Sequence, residues 1–227
     1  STLDRSSAAS DVYKRQAMVA DEAARTTFAK NIKTVLEKNK LDGIDLDFEW
    51  AENEKEYKDY SLAILKMREV LGDKYLFSVS LHPVCYKISK EAIEAVDFIS
   101  LQCYGPSPVR FPIEKYCSDI QMVLEYGIPK EKLVAGVPFY GVTKDNSKKT
   151  EAYFNFVQNG LVTSPAQNEV IYQGDTYVFD GQDNIRIKTR YAKEQKLKGM
   201  MSWDLATDLP LSDSRSLLKT MTEELRE

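Results

Sequence analysis

Histidine is nearly absent from this 227-residue chain: His82 stands alone, so no His cluster is available to bind a metal. The three cysteines, Cys85, Cys103 and Cys117, have no metal-ligand spacing, and their odd number argues against a disulfide framework. Buried or half-buried free thiols are the expected form. No apolar run approaches the length of a membrane span. The first residues lack the charged start, apolar core and small-residue cleavage site of a signal peptide. Lys and Arg are scattered and the net charge is −4, which leaves no electrostatic footprint for nucleic acid. No Gly-rich phosphate turn follows any apolar run, and no tandem repeat or low-complexity stretch stands out. What remains is the composition of one water-soluble domain, 43% hydrophobic, with a substantial core. Thirteen Tyr and nine Phe suit either that core or a groove that stacks on flat ligands.

One stretch is unlike the rest: Leu41-Asp42-Gly43-Ile44-Asp45-Leu46-Asp47-Phe48-Glu49-Trp50. Read as a strand, it alternates strictly, with Gly43, Asp45, Asp47 and Glu49 on one face and Ile44, Leu46, Phe48 and Trp50 on the other. Asp is depleted in strands, and successive acids on one face lie only about 6–7 Å apart. In a shielded cavity such a row shares a proton, and at least one carboxyl pKa rises. A carboxylic acid still protonated near neutrality is what cleavage of a glycosidic bond requires as general acid. Three plainer readings compete. The row is the solvated face of an antiparallel sheet; or it is a calcium loop, which fails because Phe48 stands where Gly should follow the third acid. Or Asp45 and Asp47 hold a divalent ion, although no His or further Asp cluster nearby completes a ligand set.

Residues 1–16 are polar and aperiodic and read as a non-native or disordered tail. From Asp21, a capping residue, Ala24, Phe28, Ile32, Val35 and Leu36 recur at helical spacing. After the acidic strand (43–49) comes a helix at 54–71, with Tyr57, Tyr60, Ile64, Met67 and Leu71 in one stripe and Gly72 as its stop. Strands follow at 75–81, 98–104, 133–139 and 199–205, with helices at 89–95, 112–126, 183–197 and 213–226. Residues 142–182 interrupt this rhythm with a polar loop and a hairpin around Gly174-Asp175. Alternating strands and helices predict an α/β chain with a parallel sheet covered by helices. Five strands fall short of the eight of a (β/α)8 barrel. In that fold Glu49, Tyr104, Tyr140 and Trp203 would gather on the rim formed by the C-terminal strand ends. A doubly wound open sheet is the competing architecture, but its phosphate turn is missing.

These residues resemble glycoside hydrolase family 18, the chitinase family. Asp42-Gly43-Ile44-Asp45-Leu46-Asp47-Phe48-Glu49 matches in full the family's D-G-x-D-x-D-x-E strand, and the likeness runs in register over about residues 17–222. Ala17–Asp21 is similar to the loop entering the helix before that strand, and Asp97–Tyr104 to the family's sixth strand. Leu133–Gly141 looks like the seventh strand, and Gly199–Trp203 like the eighth. The resemblance implies a (β/α)8 barrel, here incomplete, with about five parallel strands plus a small hairpin insertion. It also implies a retaining, substrate-assisted cleavage of β-1,4 linkages in N-acetylglucosamine polymers, with no cofactor and no metal. Glu49 would protonate the glycosidic oxygen. Asp47 would orient the 2-acetamido group, Asp45 would share a proton with Asp47, and the Tyr104 hydroxyl would hold the acetamido oxygen. Trp203 would floor the sugar, with Gln102, Tyr140 and Gly105 as further substrate contacts. His82, at the end of its strand, reads as structural as readily as a rim contact.

Departures from the pattern bear on substrate preference. The family's M-x-Y-D reads Gln102-Cys103-Tyr104-Gly105 here, and Val142 stands where an Arg often follows. No S-x-G-G strand is present, so the resemblance predicts the C-terminal part of a longer barrel, residues 17–227. The partners it implies are chitin or chitooligosaccharide, with no nucleic acid and no membrane, and family likeness points to a secreted or cell-surface location. Oligomeric state is not legible. Three other functions fit the same residues: a non-catalytic chitinase-like lectin, an endo-β-N-acetylglucosaminidase acting on glycans or peptidoglycan, and a metal-dependent sugar-nucleotide transferase using Asp45-x-Asp47.

Overall fold

The computed structural model describes residues 14–104, 111–145 and 149–226. The expected tail therefore lies mostly outside the described residues, as do Gly105 and the Pro106–Pro108 loop. Residues 14–20 are helical, a correction to the loop expected at Ala17–Asp21. Asp21 ends that segment and caps the next one, accepting from the Ala24 N–H at 2.7 Å.

The chain divides into two compact units, Ser1–Ser100 with Tyr126–Ile128, and Leu101–Glu125 with Pro129–Glu227. The first holds α1 (Glu22–Asn39), β1 (Gly43–Asp47), α2 (Glu54–Leu71), β2 (Leu76–Leu81), α3 (Lys90–Ala95) and most of β3 (Phe98–Leu101). The second holds α4 (Ile113–Tyr126, to Glu125), β4 (Leu133–Pro138), β5 (Tyr140–Thr143), β6 (Thr150–Ala152) and α5 (Tyr153–Gln158). It continues with β7 (Glu169–Tyr172), β8 (Asp175–Val178), α6 (Gln182–Glu194), β9 (Gly199–Trp203) and α7 (Leu217–Arg226). Five strands form one sheet in the order β1-β2-β3-β4-β9, with β1 parallel to β2 and β4 parallel to β9. A second, antiparallel sheet has the order β6-β5-β8-β7. The result is an α/β chain with five barrel-type strands and a hairpin sheet. No described helix is long and apolar enough to cross a membrane.

In the first unit, α2 is fixed by its ends and its stripe. Asn53 caps it by accepting from the Glu56 N–H, and Glu56 reaches back to the Glu52 N–H at 2.8 Å. Tyr60, Ile64, Met67 and Leu71 are buried, each contributing roughly 1.5–3 kcal/mol of transfer free energy. The helix stops at Gly72, whose φ of 63° is left-handed. Arg68, near that end, donates to the Ala95 carbonyl (2.6 Å), to those of Gly72 and Tyr75, and to Asp97 (2.7 Å). Asp97 in turn accepts from the Phe77 N–H at 2.7 Å, so one guanidinium joins α2, β2 and the end of α3. The α1 stripe differs from its expectation: Val35 is 48% exposed, Ala24, Phe28 and Ile32 are half-buried, and Leu36, Ala29 and Arg25 make the buried face.

In the second unit, α6 is held by a buried ion pair, Lys188 Nζ to Asp180 Oδ2 at 2.5 Å. Burial raises the Asp180 pKa, and the Lys188 charge and hydrogen bond work against that rise. The Lys188 ammonium also lies over the Tyr116 ring at 5.6 Å, and the Tyr116 hydroxyl donates to Met200 Sδ at 3.3 Å. Asp208 caps α7, accepting from the N–H groups of Leu217 and Leu218 and from the Ser216 hydroxyl.

Candidate active site

Gly43 opens the acidic strand for a steric reason. A Cβ at this position would lie 2.1 Å from the Leu76 carbonyl oxygen of β2. The close approach accompanies a parallel register that sets Asp45 opposite Ser78 and Asp47 opposite Ser80. Paired residues of neighbouring strands project to the same side. Both hydroxyls reach Asp45: Ser78 donates to Oδ1 at 2.5 Å and Ser80 to Oδ2 at 2.7 Å. Asp45 and Asp47 are exposed, so in the described residues the acid row is solvated rather than enclosed.

The other face of β1 is anchored. Phe48 is buried and stacks on Tyr60, with ring centroids 4.6 Å apart, and the Tyr60 hydroxyl donates to the Leu46 carbonyl at 3.2 Å. Burial holds the Tyr60 pKa far above its usual value, and electrostatic interaction with Cys85, Asp45 and Asp47 adds to the effect. Regular strand ends at Asp47, two residues earlier than the sequence pattern suggests, and half-buried Glu49 sits just past it. The chain beyond is tethered twice. Trp50 meets the buried His82 ring edge-on at 4.4 Å, and the Ala51 N–H donates to Cys85 Sγ at 3.2 Å. His82 thus packs under Trp50, and burial raises the Cys85 thiol pKa.

In the second unit, the chain leaves β3 at Leu101, where the Cys103 N–H turns back to the Leu101 carbonyl at 3.0 Å. Gln102 and Tyr104 are buried there. The Tyr104 ring packs edge-on against Tyr140, centroids 6.4 Å apart, and its hydroxyl lies 3.9 Å from Met201 Sδ. Gly136 on β4 makes room for that ring: a Cβ would come within 3.0 Å of Tyr104 Cε1 and 2.7 Å of the Leu101 carbonyl. Cys103 points into the core, and its thiol is pushed up to about 12 by burial. Trp203 ends β9 in register with Pro138 and is 57% exposed, a flat apolar face open to solvent. Asp204 follows it and caps the next turn by accepting from the Ala206 N–H.

The structure thus brings Asp45 and Asp47 onto one strand face with Glu49 just beyond, and brings Tyr104 and Tyr140 into contact. Trp203 stands at its own strand end, and Gly105 lies outside the described residues. Sequence reasoning passed over Ser78, Ser80 and Met201. The serines left a signal, since two hydroxyls at alternate positions of an apolar strand face whatever the adjacent strand presents. Among the described residues, no group of three or more His, Cys, Asp or Glu side chains is placed to hold a metal ion.

The family model for glycosyl hydrolases family 18 matches residues 8–208. Probable chitinase 2 of Drosophila melanogaster is 24% identical over 255 residues, and the match covers 84% of this chain and 52% of that protein. The chain therefore spans about half the length of that relative. Among solved structures, the GH18 chitinase ChiB from the chitin utilization locus of Flavobacterium johnsoniae is 25% identical with a TM-score of 0.79, covering 94% of this chain and 69% of that one. A class V chitinase from Nicotiana tobaccum, solved in complex with NAG4, gives a TM-score of 0.78 at 16% identity and shares the fold, with 94% of this chain and 76% of that one covered. A match that runs from ahead of α1 to beyond β9, taking in the acid row and both tyrosines, settles the kinship: this chain belongs to glycosyl hydrolases family 18.

Proposed function

We propose that the protein of which this chain is part hydrolyses β-1,4 linkages between N-acetylglucosamine units of chitin or chitooligosaccharides, outside the cell or at its surface. The observation that carries this reading is the complete D-G-x-D-x-D-x-E strand, with Glu49 held just past the strand end by contacts on both sides. Glu49 gives its proton to the glycosidic oxygen as the bond to the anomeric carbon breaks. The 2-acetamido oxygen of the sugar attacks that carbon, forming an oxazolinium ion, and Glu49, now a carboxylate, takes a proton from the water that opens it. Two displacements at one carbon retain its configuration.

Asp47 accepts from the acetamido N–H and offsets the positive charge that develops on the ring, with Asp45 behind it on the same strand face. The Tyr104 hydroxyl holds the acetamido oxygen, Trp203 floors the pyranose, and Gln102, Tyr140 and Gly105 complete the sugar contacts. An exposed indole at a strand end suits a sugar's apolar face. The NAG4 complex of the tobacco relative supports this ligand class.

The test is Glu49→Gln in the protein carrying this chain. Turnover of a chromogenic chitobioside is expected to fall at least about a hundredfold, the usual minimum for a lost general acid, while chitin binding persists. Comparable turnover in the variant would remove Glu49 from the role.

A further inference from the structure

Glu49 stands where the sheet has stopped holding the chain. Register pairing of β1 with β2 ends at Asp47, opposite Ser80, so the backbone that carries Glu49 lies past the last paired residue. On its N-terminal side that backbone is fixed by Phe48, stacked on Tyr60. On its C-terminal side both fixing groups come from one tight turn at the end of β2, His82-Pro83-Val84-Cys85. The turn closes on itself: the Cys85 N–H donates to the His82 carbonyl at 2.7 Å, and the His82 N–H to the Cys85 carbonyl at 3.2 Å. It is also tied to α2, whose Tyr57 hydroxyl donates to the Val84 carbonyl at 3.2 Å. From its first residue the buried His82 ring meets Trp50, and from its last the buried Cys85 sulfur accepts from the Ala51 N–H. Ala51 is 2% exposed, so without that sulfur its N–H would lack an acceptor in a place with little water, a costly arrangement. The acidic motif gives no hint of this support, because Cys85 lies 34 positions beyond Ala51.

We infer that the His82–Cys85 turn is the seat of the proposed acid, with Cys85 a positioning residue that fixes the Glu49 backbone through the Ala51 N–H. The inference rests on the proposed hydrolytic reading and deepens it. Displacing a reacting group by about 1 Å costs on the order of a hundredfold in rate, so a small movement of this seat reaches the chemistry. Cys85 is buried and has no proposed sugar contact, so the seat sets rate rather than affinity.

The experiment compares Cys85→Ala, Cys85→Ser and Tyr57→Phe with the parent protein, in the protein carrying this chain. Arg68→Lys, at the far end of α2 from Tyr57, serves as a control that weakens the same unit. Each is followed by a thermal melt and by kcat and KM on a chitooligosaccharide. Cys85→Ala is expected to lower kcat roughly tenfold or more, with KM within about twofold. Cys85→Ser puts an acceptor back and is expected to recover most of that loss. Arg68→Lys is expected to lower Tm while keeping the parental kcat. If Cys85→Ala does not fold, Tyr57→Phe, which removes only a hydroxyl from behind the turn, is expected to show a smaller fall in kcat at unchanged KM. Parental kcat in a folded Cys85→Ala protein, or in Tyr57→Phe where the former does not fold, would overturn the inference. So would a serine variant no better than alanine, or losses of kcat that track Tm across all variants, Arg68→Lys included. Glu49→Gln, run alongside, separates the two ideas: turnover that depends on Glu49 but not on Cys85 sinks the seat alone, and turnover that ignores Glu49 sinks both.

Discussion

A missing side chain shapes the surroundings of Tyr104. Gly136 leaves the gap that the Tyr104 ring enters, and two of the three atoms nearest a Cβ there are the Leu101 carbonyl oxygen and the Met201 methyl. The first belongs to backbone and cannot swing aside. Gly136→Ala is therefore expected to move the chain at Leu101 and with it Tyr104, at a stability cost of about 1–3 kcal/mol for overpacking. A thermal melt reads the cost. Turnover of 2-acetamido substrates should drop further than stability accounts for, and a variant with parental Tm and kcat would show that the ring has slack. Gly43 obeys the same logic against Leu76, which explains why the acid row begins with a residue that has no side chain.

At the scale of elements, the parts legible in the sequence are those whose pattern is local. The α2 stripe repeats every third or fourth residue over about three turns, so Tyr60, Ile64, Met67 and Leu71 are legible in the sequence, whereas Arg68 is explained only by its partners. Arg68→Lys keeps the charge but loses the planar fork that serves four acceptors across α2, β2 and α3. It is expected to lower stability by roughly 2–3 kcal/mol, with far-UV circular dichroism unchanged below the transition. The acidic strand was legible too, through its strict alternation, although its regular pairing ends at Asp47 and leaves Glu49 beyond. The third strand ends at Leu101 rather than at Tyr104 as its apolar run predicts, because such a run does not mark where Cys103 folds back on Leu101. Strands β5 and β6 and helix α5 were not foreseen. Each is short, and β5 is a strand only because Tyr140–Val142 and Val142–Thr143 find partners at 150–152 and 177–178. Pairing at such separations leaves no period in the sequence. The Ser78 and Ser80 bonds to Asp45 leave no sequence period for the same reason, since register is a relation between two strands.

For the molecule as a whole, the sheet order sets the main physical risk. Among the described residues β1 and β9 each have one neighbour, so both present an open edge. Leu76 and Leu41, close to the first edge, are 57% and 47% exposed. Open edges beside apolar side chains pair with other chains. The 227-residue chain is expected to associate with itself in a dilution series followed by light scattering, and Leu76→Lys to weaken that association. A strict monomer across the series would refute it. The strands also divide the labour. Asp47, Tyr140 and Trp203 lie at or just past the C-terminal ends of β1, β4 and β9, and Glu49 and Tyr104 lie two and three residues beyond the ends of theirs. The opposite ends, near Leu76, Leu133 and Gly199, hold no proposed sugar contact. On the proposed reading, linkers, dyes or resin attachments placed there are expected to leave turnover unchanged, whereas variation in the segments that trail each strand is expected to alter which polymer is accepted, so that specificity drifts while the scaffold stays the same.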